Sequence, residues 1–246
     1  GELADRMAEQ ARRHGVELLS AAAVKAVGSD GDVRWAKLSG GDVVRGRAIR
    51  LAPGATFRRL GAPGEKDYFG AGVHYCATCD GPFYKGKDVL VVGGGNSAVE
   101  EGLFLAGFAR QVTIATRGAQ LRAAKVAQER ALRHPRIRFV FETTVAEFRC
   151  DRRLRSVLLR HTRTGETWEA SPDGVFVLIG QEPNTWWLKG QIDLDERGFI
   201  VTDASLQTSV PGIFAAGDAR SGSTKQLVAA AGEGATAALS IRNFLR

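Results

Sequence analysis

Two cysteines lie three positions apart in the segment YCATCDG, residues 75–81. At this spacing Cys76 and Cys79 can close a small disulfide, supply half of a metal site, or be two small buried side chains. Asp80 follows the second cysteine directly, and a carboxylate beside a sulfur can donate a proton to a thiolate or accept one from a thiol. The first question is therefore whether this pair exchanges electrons, and with what.

A zinc site and an inert buried pair are the two alternatives to a redox-active disulfide. Zinc needs four ligands, and the only nearby candidate besides the cysteines is His74, since the chain has no second C-x-x-C. Asp80 argues against an inert pair. The sequence favours a catalytic disulfide and no metal site, and it leaves the isolated Cys150 as a bystander thiol.

A glycine-rich turn follows the short apolar run at residues 88–92. Residues 93–98, GGGNSA, fit the pattern G-x-G-x-x-A between a predicted strand and a predicted helix. In this pattern the first glycine allows the tight turn, the second lets the backbone approach a pyrophosphate, and the last small residue lets the helix pack on the strand. The helix N-terminus favours phosphate, whereas a purely structural glycine turn is the alternative. The predicted binding residues are Gly93, Gly95, Asn96, Ser97 and Ala98.

The end of the next predicted strand, Val112–Ala115, bears on which dinucleotide binds. An NAD site usually places Asp or Glu there to bond the ribose hydroxyls, whereas arginine suits a 2′-phosphate. Here Arg117 and Arg122 follow the strand. The sequence favours NADPH over NADH, with surface arginines of no nucleotide role as the alternative.

A flavin would close the gap between the nucleotide and the cysteines. NADPH delivers a hydride, which a disulfide accepts poorly, so a mediator such as a flavin is expected between them. Gly217 and Asp218 follow the apolar run Ile213–Ala215. An acid at the end of such a strand can bond flavin hydroxyls.

Composition limits the remaining classes of function. The 246 residues are 44% hydrophobic, enough for one large or two modest domains, and 34 basic against 27 acidic residues give a net charge of +7. The charges are interspersed and no basic run carries aromatic residues, which argues against a nucleic-acid partner. No apolar run approaches the ~18 residues of a membrane span. Three cysteines are too few for a secreted disulfide scaffold, so a cytoplasmic location is expected.

The hydrophobic pattern predicts the elements that carry these residues. Predicted helices cover Leu3–Arg13, a stretch from the glycine loop through Phe108, Ala123–Arg133 and Gln226–Phe244. Predicted strands are Val16–Leu19, Val33–Leu38, Ala48–Leu51, Asp88–Val92, Val112–Ala115, Gly174–Ile179, Phe199–Val201 and Ile213–Ala215, with a hairpin turn at residues 40–42. A linker is expected at residues 61–64, and an antiparallel section is inserted in the βαβ unit that begins at Lys87.

The motifs together resemble those of one flavoprotein family. Residues 76–81, CATCDG, match the active-site motif of bacterial-type, low-molecular-weight thioredoxin reductases, and residues 93–101 match their NADPH loop and helix. Residues 179–180 with 183–185 resemble the segment that returns to the flavin domain, and residues 208–218 resemble the second flavin-binding motif. The resemblance covers essentially the whole chain, more loosely over residues 1–60.

The resemblance implies an α/β fold of two Rossmann-like dinucleotide-binding domains, each of three layers (β/β/α). The FAD-binding domain would comprise residues 1–60 and 181–246, and the NADPH-binding domain, residues 61–180, would be inserted in it and carry the disulfide. In this family the two domains rotate against each other, and the enzyme is a homodimer.

The resemblance also implies roles for individual residues. Electrons would pass from NADPH to FAD, then to the Cys76–Cys79 disulfide, then to thioredoxin. Cys79 would be the sulfur nearer the flavin, Cys76 the thiol that attacks the partner, and Asp80 the acid–base residue. Arg117 and Arg122 would grip the 2′-phosphate. The other residues expected to bind a cofactor are Ile179, Gly180, Gly217, Asp218, Lys225, Gln226 and Leu227.

The sequence departs from the family pattern in several places. The first G-x-G-x-x-G, which cradles FAD in the family, precedes the point where this sequence begins, so an N-terminally incomplete chain is expected. Thr116 and Gly118 stand in place of a His and an Arg of the NADPH clamp. Pro53 stands in place of a threonine, and Leu227 in place of a small residue near the flavin.

Three other functions are weighed against thioredoxin reduction. A related flavoprotein could serve a peroxiredoxin or another dithiol partner, since residues 82–87 also resemble the alkyl hydroperoxide reductase flavoprotein. A truncated NADP-binding module without flavin is a different class of protein. A ferredoxin-type reductase is disfavoured because it has no use for Cys76 and Cys79.

Overall fold

The structure, a computed structural model, describes residues 2–151 and 153–246 but not the side chain of Cys150. The prediction of a bystander thiol at Cys150 therefore lies outside the described residues. The chain forms two compact units: one comprises the residues up to Thr56 together with Pro183–Arg246, and the other comprises Phe57–Glu182. We call these the discontinuous unit and the inserted unit. The chain passes between them a few residues from the predicted boundaries at 60 and 180.

Five α-helices and fifteen strands are formed by the described residues. The helices are α1 (Glu2–Arg13), α2 (Ala77–Asp80), α3 (Asn96–Ala106), α4 (Lys125–Leu132) and α5 (Leu227–Phe244). The strands are β1 (Val24–Asp30), β2 (Val33–Leu38), β3 (Val43–Gly46), β4 (Ile49–Leu51), β5 (Ala55–Phe57), β6 (Val73–His74), β7 (Asp88–Val92), β8 (Gln111–Ala115), β9 (Ile137–Val140), β10 (Thr143–Cys150), β11 (Leu154–His161), β12 (Thr167–Ala170), β13 (Gly174–Val177), β14 (Gln181–Pro183) and β15 (Ile213–Ala215). Short 3₁₀ helices cover Gly81–Tyr84 and Trp186–Leu188. Among the described residues, no helix combines the length and apolar character needed to span a membrane.

The inserted unit is built on a five-stranded parallel sheet in the order β6–β13–β7–β8–β9. The central strand β7 reads DVLVV and is buried along nearly its whole length, as expected for a parallel strand covered on both faces. One face packs against α3 and α4 through residues such as Val91, Leu105 and Ile114. The glycine loop therefore lies where β7 ends and α3 begins, at the carboxyl edge of the sheet.

A three-stranded antiparallel layer, β10–β11–β12, covers the other face of this sheet. Phe148 and Val157 from this layer share one core with Leu90 and Val175 of the parallel sheet. The inserted unit is thus a three-layer α/β fold, as predicted.

The discontinuous unit contains two smaller sheets. Strands β1–β2–β3 form an antiparallel sheet, and β4 pairs in parallel with β15, although about 160 residues separate them in the chain. Their common core includes Val27, Leu51, Leu188, Ile200 and Ile213. The turn after β15 carries the second predicted cofactor motif.

The predicted helices and most of the predicted strands are confirmed. Two predicted strands are wrong: residues 16–19 are irregular, and residues 199–201 contribute only isolated bridges at Ile200. Several short strands were not predicted, among them β1, β3, β5, β6 and β14. The hairpin turn predicted at residues 40–42 does connect β2 and β3.

A buried carboxylate organises the start of the inserted unit. Glu65 is only 1% exposed. Its two oxygens accept hydrogen bonds from the backbone N–H groups of Leu60 and Gly61 and from the hydroxyl of Tyr75. Burial, with the carboxylate of Glu65 as a second cause, raises the pKa of Tyr75 above its usual value. We interpret this cluster as structural, because each polar group in it is paired.

Candidate active site

The two cysteines form a disulfide at the N-terminus of α2, which confirms the predicted pairing. Cys76 is the N-cap residue in an extended conformation, and its sulfur accepts a hydrogen bond of 3.1 Å from the backbone N–H of Cys79. Cys79 is exposed and Cys76 is half-buried. Because α2 is a single turn, the spacing C-A-T-C places the two Cα atoms 5.4 Å apart, within disulfide range.

A glutamate of α3 anchors the disulfide-bearing helix. The backbone N–H of Ala77, the first residue of α2, donates a 2.9 Å hydrogen bond to Oε2 of Glu101. Burial raises the pKa of Glu101. No sequence pattern predicted a role for Glu101; the only signal was the acidic pair Glu100 and Glu101 within a largely apolar helix. This contact ties the disulfide to the helix that begins at the glycine loop.

Asp80, the predicted acid–base residue, contacts a buried histidine. Its Oδ2 lies 3.1 Å from Nδ1 of His74, and Nε2 of His74 lies 2.6 Å from the hydroxyl of Tyr84. Burial lowers the pKa of His74, although Asp80 acts in the opposite direction. The one residue considered as a further metal ligand is therefore engaged by a carboxylate and a phenol.

The glycine loop fits tightly against the protein at its first two residues. Gly93 has φ +149°, and a Cβ added there would lie 2.4 Å from the carbonyl oxygen of Leu178. A Cβ on Gly94 would lie 2.3 Å from Oγ1 of the buried Thr116. A Cβ on Gly95 would meet no atom within 4 Å. The backbone is therefore packed on the protein side and open at Gly95, as a pyrophosphate cradle requires.

The other predicted residues of this loop have distinct surroundings. Ala98, in the first turn of α3, is fully buried, and Ser97 is exposed. Asn96 Oδ1 accepts a 2.7 Å hydrogen bond from the backbone N–H of Ala124. Asn96 thus holds the segment before α4 against the helix N-terminus, a positional role that its spacing alone did not indicate.

Both predicted phosphate-binding arginines lie at the same edge of the sheet. The backbone N–H of Arg122 donates a 2.7 Å hydrogen bond to the carbonyl oxygen of Gly94. Arg117 follows β8 directly, and both side chains are exposed. Two guanidinium groups are therefore carried by segments that flank the glycine loop.

The second cofactor motif lies in the discontinuous unit, after β15. Oδ1 of Asp218 is buried and has no hydrogen-bond partner among the described residues. Nζ of Lys225 donates to the carbonyl oxygen of Asp218 at 2.7 Å and lies 3.9 Å from the centroid of the Phe199 ring. Burial lowers the pKa of Lys225. A buried carboxylate oxygen without a donor is a site where a ligand hydroxyl could bond.

The remaining predicted residues line turns and helix starts. Gly217 has φ +80°, and its N–H donates to Oε2 of Glu233 at 2.8 Å. Gln226 precedes α5, and Leu227, its first residue, is 67% exposed. In the inserted unit, Gly180 has φ +101° and accepts a 3.0 Å hydrogen bond from the N–H of Arg58, and Ile179 packs against the adjacent core.

Comparisons with known proteins establish the family. The chain matches the family model described as pyridine nucleotide-disulphide oxidoreductase over residues 45–234. It is 42% identical over 245 residues to a thioredoxin reductase of Streptomyces clavuligerus, a match covering 99% of this chain and 76% of that protein. The chain belongs to the thioredoxin reductase family. A crystal structure of thioredoxin reductase from Streptococcus pyogenes superimposes with a TM-score of 0.93 at 37% identity, covering 99% of this chain and 79% of that one.

A second kind of relative is also similar. One component of the alkyl hydroperoxide reductase of Pseudomonas putida is 39% identical over 247 residues, which cover 99% of this chain but 48% of that protein. Both kinds of relative match almost the whole of this chain, so the match alone does not choose between their partners.

The cofactors of the thioredoxin reductase family are FAD and NADPH, and this chain offers groups suited to both. The glycine loop has the close backbone approach and the open edge that a dinucleotide pyrophosphate needs. The unpartnered Oδ1 of Asp218 suits a hydroxyl of a flavin dinucleotide. The residues present therefore fit both groups.

An ion pair in the discontinuous unit holds the turn after β15, the turn that carries Gly217 and Asp218, and contributes to the stability of the fold. Arg220 donates two hydrogen bonds to Glu233, which also accepts from Gly217, and the bond from Arg220 lowers the pKa of Glu233. A carboxyl group with a lowered folded-state pKa stabilises the fold above its unfolded pKa of about 4.3, and this contribution is lost as the pH falls through the folded-state pKa.

Replacing Glu233 with glutamine is expected to lower the free energy of unfolding at pH 7 by about 2 kcal/mol. Denaturant titrations between about pH 7 and pH 3 measure this, and the difference from the unmodified protein should shrink as the pH falls. Glu9→Gln is the matched control, because Glu9 pairs with Arg13 on the exposed surface of α1. A pH-independent loss, or an equal effect of Glu9→Gln, would contradict the assignment.

Proposed function

We propose that this protein is a thioredoxin-disulfide reductase, an enzyme that uses NADPH to reduce the disulfide of thioredoxin. The observation that carries the proposal is the Cys76–Cys79 disulfide on α2, tied through Glu101 to the helix of the glycine loop. When bound, NADPH supplies a hydride, and FAD supplies the conversion of that hydride into the electron pair that a disulfide accepts. The family relationship supports this choice of substrate and cofactors.

We assign each cofactor to one unit. The inserted unit would bind NADPH through Gly93, Gly95 and the start of α3, with Arg117 and Arg122 on the 2′-phosphate. The discontinuous unit would bind FAD through Gly217, Asp218 and the segment before α5. Ile179 and Gly180, which lie in the segment that precedes β14, would also contact a bound cofactor. The geometry of the glycine loop and the unpartnered Asp218 oxygen support the assignment.

The cysteines and Asp80 would carry the exchange with thioredoxin. Asp80 takes the proton of the Cys76 thiol, and the thiolate attacks one sulfur of the partner disulfide. A mixed disulfide forms, and the partner sulfur that leaves receives the proton from Asp80. The Cys79 thiol then loses its proton to Asp80 and attacks Cys76, which restores the Cys76–Cys79 disulfide and releases the second partner sulfur as a protonated thiol. One partner disulfide is reduced for each dithiol oxidised.

The cellular setting is part of the same proposal. The protein would act in the cytoplasm, because a thiol–disulfide reductase of this kind needs a reducing compartment to supply NADPH and thioredoxin. It would act there as a homodimer, as the family resemblance implies. The low cysteine count and the family resemblance support this setting.

The direct test measures NADPH oxidation by the purified protein with thioredoxin and, in parallel, with a peroxiredoxin. A visible spectrum taken first establishes whether flavin is bound and whether NADPH bleaches it under anaerobic conditions. Turnover with thioredoxin is expected. Turnover with the peroxiredoxin alone would support the second candidate, which the similarity to the alkyl hydroperoxide reductase component favours. NADPH binding without flavin or turnover would identify a nucleotide-binding module and contradict the proposal.

A further inference from the structure

Behind Asp80 lies a buried pair of side chains that the proposed reaction has not used. His74 is 6% exposed and Tyr84 is 8% exposed. The ring of His74 bridges the two ends of this network, with Nδ1 at 3.1 Å from Asp80 Oδ2 and Nε2 at 2.6 Å from the Tyr84 hydroxyl. The network therefore connects β6, α2 and the 3₁₀ helix at residues 81–84.

The direction of these hydrogen bonds follows from the chemistry of the groups. An ionised carboxylate only accepts, so Nδ1 of His74 donates to Asp80. Burial favours the neutral ring, and a neutral imidazole with a proton on Nδ1 accepts at Nε2. The Tyr84 hydroxyl therefore donates to His74. The result is a one-way donor chain from Tyr84 through His74 to Asp80.

Ring packing holds both His74 and Tyr84 in one position. His74 stacks on Phe176, with ring centroids 5.2 Å apart and an interplanar angle of 28°. The ring of Tyr84 meets Phe176 edge-on at 5.4 Å. The Tyr84 ring also lies against Gly174, where an added Cβ would come within 2.2 Å of the ring. Because this packing fixes the orientation of the His74 ring, it also fixes the direction of the Nδ1–H bond. The hydrogen bond then forms only when Asp80 Oδ2 occupies one position.

Few other charged groups act on this network. Asp80 is the charged group that acts on His74, and it raises the pKa of the ring against the effect of burial. Burial raises the pKa of Tyr84, and Asp80 and Asp173 add to this while Arg153 opposes it. The ammonium group of Lys87 lies 5.3 Å from the centroid of the Tyr84 ring.

We propose that His74 and Tyr84 are positioning residues that act through Asp80, holding its carboxylate in one orientation for proton transfer with the cysteine thiols. This inference rests on the proposed function, because Asp80 moves a proton only when the Cys76–Cys79 pair is oxidised and reduced. In the described part of the chain, neither residue forms a hydrogen bond with the reacting sulfurs, and each acts by fixing the acid–base group.

The kinetic test compares variants of the FAD-loaded enzyme in thioredoxin reduction over a range of pH. His74→Phe keeps the ring packing but removes both hydrogen bonds, and it is expected to lower kcat about tenfold with KM for thioredoxin changed less than about twofold. The acidic side of its pH–rate profile should move to higher pH, because the hydrogen bond that favours the ionised carboxylate is lost. Tyr84→Phe should produce the same changes at about a third of the size.

Two further variants separate positioning from general packing. His74→Asn keeps a donor near the position of Nδ1 and should recover most of kcat. Tyr75→Phe is the matched control, since Tyr75 is equally buried but its hydroxyl bonds Glu65 rather than this network. It should lower thermal stability about as much as Tyr84→Phe does, with an unchanged pH profile. Identical pH profiles for Tyr75→Phe, Tyr84→Phe and His74→Phe, in an enzyme that reduces thioredoxin, would overturn the inference.

A second measurement needs neither flavin nor thioredoxin. Long-range ¹H–¹⁵N correlation spectra of the four histidines, with His74 assigned from the His74→Asn variant, report which ring nitrogen carries the proton. At about pH 7 we expect Nδ1–H and a bare Nε2, with that preference weakened in Tyr84→Phe. An Nε2–H tautomer or a charged ring would contradict the donor chain. A wild-type protein inactive with thioredoxin would instead remove the proposed function, so the two failures are distinguishable.

Discussion

Replacing Cys76 with serine is expected to lower NADPH-dependent reduction of thioredoxin more than about 10³-fold. A serine hydroxyl cannot attack a disulfide at neutral pH, and no mixed disulfide can form without the Cys76 thiolate. Cys79→Ser should have the same effect, because its sulfur is needed to release the partner and restore the internal disulfide. The measurement is the rate of NADPH oxidation with thioredoxin as the acceptor.

An NADPH-dependent reaction that does not use the disulfide shows whether each variant is otherwise intact. Reduction of ferricyanide by NADPH requires no cysteine, so both variants should retain it within about twofold when FAD is bound. Cys150→Ser is the matched control for a cysteine outside the pair and should leave both activities unchanged. Thioredoxin turnover retained by either Cys76→Ser or Cys79→Ser would rule out the assigned mechanism.

A second consequence distinguishes the two sulfurs. Cys79→Ser leaves the attacking thiol of Cys76 in place but removes the thiol that resolves the mixed disulfide. This variant should therefore accumulate a covalent complex with thioredoxin, visible on a non-reducing gel, whereas Cys76→Ser should not. The opposite pattern would exchange the roles of the two cysteines and keep the disulfide mechanism.

The parts of the fold that the sequence predicted well are those specified by local signals. β7, the glycine loop and α3 follow one another within about 20 residues. Each has its own local pattern, since β7 is apolar on both faces, the glycines mark a tight turn, and a helix begins directly after them. The pairing of β4 with β15 could not be read in this way, because its partners are far apart in the chain. The resemblance to a known family predicted only that residues 1–60 and 181–246 belong to one domain, not that these two strands pair.

β1, one of several strands that the hydrophobic pattern does not predict, illustrates a tertiary requirement. β1 contains Gly28, a residue that weakens a strand prediction. In the structure Gly28 lies opposite Trp35 of β2, and a Cβ there would come within 2.3 Å of the indole ring. The glycine makes room for a cross-strand aromatic ring, which no single-strand pattern reveals. Residues 16–19 present the converse case, since their apolar character suggested a strand although their side chains are exposed.

In the candidate site, too, the residues identified by local sequence signals differ from the contacts that depend on tertiary packing. Cys76, Cys79, Asp80 and the glycine loop were identified because each lies in a contiguous motif. The contacts of Asp80 with His74 and of α2 with Glu101 depend on how separate elements pack, and spacing alone does not specify them. His74 drew attention only as a possible metal ligand, and its ring is instead engaged by a carboxylate and a phenol.

Replacing Gly95 with alanine is expected to weaken NADPH binding about tenfold or more while leaving the fold intact. Gly95 is the N-cap of α3 with φ −93°, a value that alanine adopts without strain, and its added Cβ would meet no protein atom within 4 Å. Any large effect must therefore come from the ligand side, where a methyl group would occupy the space that the pyrophosphate needs. The free energy of unfolding should change by less than about 1 kcal/mol, the usual range for a helix cap.

Gly93→Ala provides the contrast that separates a binding role from a folding role. With φ +149° and a Cβ placed 2.4 Å from the carbonyl oxygen of Leu178, this variant is expected to lose several kcal/mol of stability, on the order of 3 kcal/mol, whether or not NADPH is present. Titration of intrinsic fluorescence with NADPH, paired with thermal unfolding of each variant, measures both quantities. If Gly95→Ala binds NADPH as tightly as the unmodified protein and melts at the same temperature, the loop is a structural turn and the nucleotide binds elsewhere. If binding alone is lost, the open backbone edge at Gly95 is the surface that the dinucleotide contacts.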